Sequence, residues 1–112
     1  MKQVKNETVA IASAVTTTAT GTAFQLIGKN AVFQATGTTS AGSGAATILI
    51  QVSEVDTDAA YMTMGTISLT LGTTLTADGF ASDAPWKYTR AKVSAISGTN
   101  ASVTVYAGTQ GH

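Results

Sequence analysis

Hydrophobic and polar residues alternate along much of the chain. In residues 45–53, Ile48, Ile50 and Val52 fall on one side and Thr47, Leu49, Gln51 and Ser53 on the other. A repeat of two puts successive side chains on opposite faces of a strand. The same pattern sets Ile67, Leu69 and Leu71 against Thr66, Ser68 and Thr70, and Ala101, Val103, Val105 and Ala107 against Ser102, Thr104 and Tyr106. Residues 8–16, 22–27, 30–36, 46–53, 60–64, 66–71, 75–80, 86–96 and 101–107 are therefore predicted as eight or nine short strands. No longer segment carries an apolar stripe at helical spacing between capping residues, so little helix is expected.

Turn chemistry separates these runs. The breakers are TGTTSAGSG (36–44), LGTT (71–74), Asp78-Gly79, Asp83-Ala84-Pro85 and residues 97–100, where glycine supplies positive φ and Asp or Asn folds onto nearby backbone. Their spacing of about ten residues predicts an all-β antiparallel β-sandwich or barrel rather than βαβ units. Read as a linker, TGTTSAGSG would leave a first piece too small for its own core. It is read instead as a mobile loop within one domain spanning residues 8–112, preceded by a flexible N-terminal arm, residues 1–7.

Composition makes that domain a thin one. The chain has 112 residues, 44% of them hydrophobic, but 19 of these are Ala, leaving 30 larger apolar side chains. Twenty-one threonines favour strands, since β-branched side chains pack well on a pleated surface. Charged residues make up 11% and cancel to a net charge of zero, so no field of either sign draws the chain to nucleic acid or an anionic membrane. Near-zero charge with a mean hydropathy of +0.21 favours association, and assembly is expected. No run reaches the length of a membrane span. Met1, Lys2 and Lys5 precede a short apolar run, 9–15, but Asn6 and Glu7 break the start of such a signal, and the chain is read as unprocessed.

Actors for chemistry are few. Cysteine is absent and the one histidine is His112, at a terminus that frays unless tied down. Glu54, Asp56 and Asp58 alternate after a predicted strand and could offer oxygen ligands to a hard cation, but they lack the glycine of a calcium loop and are read as an acidic hairpin loop that keeps strand ends soluble. Asp78 and Asp83 could form a carboxylate pair, or simply shape turns. No nucleophile elbow or phosphate-binding loop is present, and Gly28-Lys29 precedes a strand. The chain is expected not to be an enzyme and to need no cofactor or metal.

Trp86 and Tyr88 lie two apart on a predicted strand and so share a face, continued by Arg90 and Lys92, while Thr89, Ala91, Val93 and Ala95 form an inward, small-residue face. Trp86 could plug one end of the core, anchor an interface, or offer a ligand platform. Trp86, Tyr88, Lys2 and Lys5 are the candidate partner-interface residues, the lysines as part of an arm that orders on binding.

Residues 48–53 (ILIQVS), 65–74 (GTISLTLGTT), 78–88 (DGFASDAPWKY) and 90–106 (RAKVSAISGTNASVTVY) resemble small virion structural proteins of tailed bacteriophages, in particular head decoration or cement proteins. The resemblance spans residues 46–107. It departs at 54–61, where Glu54 to Tyr61 replace an Asn-Asp-Gly hairpin followed by tryptophan, so no binding role carries over to that loop. The resemblance implies a jelly-roll-like sandwich that decorates a capsid, with the major capsid protein and further copies of itself, as dimer or trimer, for partners. Such a chain is made in the host cytoplasm and ends on the virion surface. The alternative is a glycan-binding or host-attachment module of a tail or head fibre, using the Trp86/Tyr88 face or the long loop.

Overall fold

The alternating segments form strands that stack as two sheets. A computed structural model describes residues 3–5, 7–27, 30–82 and 86–110. Its strands are β1 (Gln3–Lys5), β2 (Thr8–Val15), β3 (Ala19–Thr20), β4 (Gln25–Ile27), β5 (Asn30–Thr38), β6 (Ala41–Ser53), β7 (Met62–Leu71), β8 (Thr76–Ser82), β9 (Tyr88–Thr99) and β10 (Ser102–Gln110). One four-stranded antiparallel sheet has the order β2-β10-β5-β8 and the other β3-β9-β6-β7. The fold is all-β, as the periodicity predicts, with one 3-10 turn at Asp58–Ala60 among the described residues. Gln3–Lys5, inside the expected arm, pairs in parallel with Gln25–Ile27.

Inward side chains from the two sheets build the core. The first sheet contributes mainly Ala31, Phe33, Ala35, Val103, Val105 and Ala107, and the second Ile48, Ile50, Ile67, Leu69, Leu71 and Val93. Alanines on one sheet thus face larger aliphatics on the other. The many alanines act as spacers that let the layers approach, and the core reaches close packing with few large residues. Phe33 is buried among them, its ring 5.3 Å from that of Phe80 and tilted by 36°. Phe80 in turn lies over Gly65, where any Cβ would collide with its ring.

Three local readings change. The predicted strands 60–64 and 66–71 merge into one, β7, which starts at Met62 because Ala60 belongs to the 3-10 turn; its register shifts opposite Ile50/Gln51, and a bulge there absorbs the break in periodicity. The stretch 36–44 is not a mobile loop. Only Thr39 and Ser40 separate β5 from β6, and the crossing between sheets is tied down at both residues. The Thr39 amide donates to the Gly72 carbonyl (2.9 Å), the Ser40 amide to the Thr99 carbonyl (3.0 Å), and the Thr39 hydroxyl to the Gly42 carbonyl (2.7 Å). Glycine serves close approach there, since a Cβ on Gly44 would strike the Ser97 carbonyl oxygen. Asp78-Gly79 likewise lies inside β8 rather than in a turn, with Gly79 pressed against the Phe33 carbonyl.

Candidate functional site

The outward face of β9 carries the expected row. Thr89, Ala91 and Val93 are buried, whereas Tyr88, Arg90 and Lys92 on the alternate positions are half-buried; Ala95, expected inside, is exposed. The strand starts at Tyr88, not at residue 86, so Trp86 precedes it. Trp86 is half-buried and does not belong to the core cluster. Lys5 belongs to β1, while Lys2, Asp83 and His112 lie outside the described residues.

Beside this row, the β6–β7 hairpin loop folds its acids onto the sheet. Each carboxylate takes a different donor: Glu54 accepts from the Lys87 amide (3.0 Å), Asp56 from the Tyr61 phenol (2.8 Å) and Asp58 from the Arg90 guanidinium (2.8 Å). Among the described residues no three acidic, histidine or cysteine side chains gather as a cation site. Arg90 joins loop to sheet. Its Nε donates to the Gln51 side-chain carbonyl (2.8 Å) and its guanidinium lies 3.9 Å from the Tyr61 ring centre, a cation–π contact. Its side chain is 12% exposed against 89% for Asp58, so the ion pair reaches from the sheet surface into solvent. The Lys87 ammonium sits 5.5 Å from the Tyr88 ring. This cluster spends its charges internally and works as a latch that holds the loop in one shape.

The latch alters one titration. Desolvation, helped by the hydrogen bond to Asp56 and that carboxylate's charge, pushes the Tyr61 phenol up from 10.0 to about 12. The fold favours the neutral phenol, so the stabilisation is intact below pH 10.0 and is lost as pH rises towards about 12. In an alkaline titration followed at the tyrosinate absorbance band, one tyrosine is expected to ionise near pH 12, and Asp56→Asn should move that step towards the ordinary range. A titration with no late-ionising tyrosine would remove the latch.

The other sheet bears a different feature on its outer face, which reading one strand at a time does not reveal. Thr8 of β2, Tyr106 and Gly108 of β10, and Val32 and Gln34 of β5 line an open depression of about 290 Å³. Registers make this a cross-strand grid: Gly108 sits opposite both Thr8 and Val32, and Tyr106 opposite both Ala10 and Gln34. Alternation places Tyr106 on the polar face of its strand, but its neighbours come from segments about 70 and 100 residues away, a proximity that only sheet order creates.

No protein-family model, no curated protein and no solved structure matches this chain.

Proposed function

We propose that the chain is a structural virion protein of a bacteriophage, a capsid decoration protein that stabilises the shell through contacts with itself and with the major capsid protein. The sequence resemblance supports this reading, and the observation that carries it is the edge strand β7. A sheet edge offers unpaired backbone donors and acceptors, and proteins commonly blunt it with charge, proline, bulges or shortness. Three edges here are blunted. β2 meets β10 through register shifts, β3 has two residues, and β8 carries Asp78. β7 runs for ten residues, MTMGTISLTL, pairs among the described residues with β6 alone, has no charge or proline, and past its bulge at residues 63–65 keeps an unbroken register from Thr66 to Leu71. Its outward Thr66, Ser68 and Thr70 are exposed and small; the Thr76 hydroxyl donates to the Thr70 carbonyl (3.1 Å) at one end, and the remaining edge can take a strand from another chain.

The finer fold within this reading is a jelly roll. Setting aside the short β1 and β4, the eight sandwich strands in chain order pair first with eighth, second with seventh, third with sixth and fourth with fifth. That is the pairing of one long antiparallel ribbon wrapped into two sheets, an architecture used by viral capsid domains and by lectins.

Sedimentation at micromolar concentration tests the assembly. The wild-type chain is expected as a dimer or trimer, and Thr66→Lys/Ser68→Lys as a folded monomer, because like charges on facing edges repel. The fluorescently labelled wild type should also co-sediment with shells assembled from the major capsid protein of the same particle. A monomeric wild type, or a chain left behind by the shells, overturns the proposal.

A further inference from the structure

We propose that the depression around Tyr106 is a binding site for a single neutral sugar ring. The inference stands on the outer face of the β2-β10-β5-β8 sheet and does not depend on capsid binding.

The site is built on paired strands, which fix side chains more closely than loops do. Glycine shapes the floor. A Cβ on Gly108 would lie 2.7 Å from the Thr8 hydroxyl and 3.1 Å from the Glu7 carbonyl, so only glycine lets Thr8 close over the buried residue 108 and keep its hydroxyl beside the Val32 side of the depression. Val32, 45% exposed, lines the trough with apolar surface, and Tyr106, 37% exposed, adds an aromatic ring.

The polar groups around this surface are uncommitted. Among the described residues, the Thr8 hydroxyl, the Gln34 amide and the Tyr106 phenol make no hydrogen bond within the chain. On the opposite sheet, Gln51, Tyr61 and Arg90 are bonded to one another or to the acidic loop. One polar cluster holds the fold together, and the other is left to bind.

Charge and size choose the ligand class. All five lining residues are uncharged, as are Ala10, Gly79 and Ala81, which continue the same cross-strand rows, so an ionic ligand would meet no counter-charge. A neutral pyranose matches: its apolar C–H face stacks on an aromatic ring, and its hydroxyls both donate and accept, as do the Gln34 amide and the Thr8 and Tyr106 hydroxyls. A volume of about 290 Å³ is at the small end for ligand sites and takes one ring rather than a chain.

The test titrates the isolated full chain with glucose, galactose, mannose, N-acetylglucosamine and N-acetylgalactosamine, and with sialic acid as the charged comparison, reading amide shifts by NMR. At least one neutral sugar is expected to give saturable shifts centred on Gln34, Tyr106 and Gly108. Tyr106→Ala should weaken that binding at least tenfold and Gln34→Ala several-fold, with the rest of each spectrum unchanged. Sugar binding can fail while the chain still assembles on shells, and the reverse holds too. No saturable shift with any neutral sugar overturns the inference, as do shifts centred on Trp86 and Tyr88, binding that survives Tyr106→Ala, or equal binding of sialic acid.

Discussion

Phe33→Ala is expected to remove about 3–5 kcal/mol of stability, the usual cost of deleting a buried phenylalanine. Phe33 is 2% exposed, lies between Ala31 and Ala35 on the inward face of β5, and supports Phe80, which covers Gly65 on β7. Neighbouring alanines cannot move in to fill the void, so the cost should fall at the high end. Domains of this size retain about 5–15 kcal/mol in total, so the variant would sit near the folding threshold. Urea unfolding followed by circular dichroism measures the loss. Val32→Ala, next in sequence but facing out, should change stability by about 0.5 kcal/mol or less. A loss below about 1 kcal/mol for Phe33→Ala would mean that the sheets do not pack around this ring.

Arg90→Ala is expected to cost about 1–3 kcal/mol, because it leaves the buried Gln51 acceptor without its donor. The ion pair with the exposed Asp58 adds little, about 0–1 kcal/mol. Arg90→Lys should recover less than half, since a single ammonium cannot meet Gln51 and Asp58 in the geometry of a planar guanidinium. The effect should also be local: hydrogen exchange at residues 55–61 should quicken in Arg90→Ala while the central strands β6 and β10 stay protected. Unchanged exchange in that loop would show that Arg90 does not hold it.

Much of the sandwich is legible from residue order because its determinants are local. The alternation through Ile48, Ile50 and Val52, and through Val103 and Val105, sets which side chains face inward whatever the strands pair with. Glycine misleads where its purpose is long-range. Gly44 and Gly79 read as turn punctuation, yet each sits where another segment's backbone passes within contact distance, and nothing near them in sequence announces that neighbour. The candidate sites divide in the same way. The outward row of Tyr88, Arg90 and Lys92 follows from a period of two, whereas the Arg90 latch joins positions 51, 58, 61 and 90. The Tyr106 depression joins positions 8, 32, 34, 106 and 108, and both depend on strand order. The aromatic spacing places Trp86 on the strand, whereas the extended backbone of β9 starts two residues later, at Tyr88.

The central place of β10 bears on how the protein is made. This strand lies between β2 and β5, so the sheet bearing the Tyr106 depression cannot close until residues 102–110 have left the ribosome. Until then the emerging chain exposes the uncharged flanks of β2 and β5 alongside β7. Pairings between positions so far apart in the chain form slowly, and slow closure lengthens the interval in which nascent copies on one message can pair wrongly. Low charge leaves little to repel such copies from one another, and the yield of folded protein should therefore depend on expression rate and temperature more steeply than equilibrium stability alone would dictate.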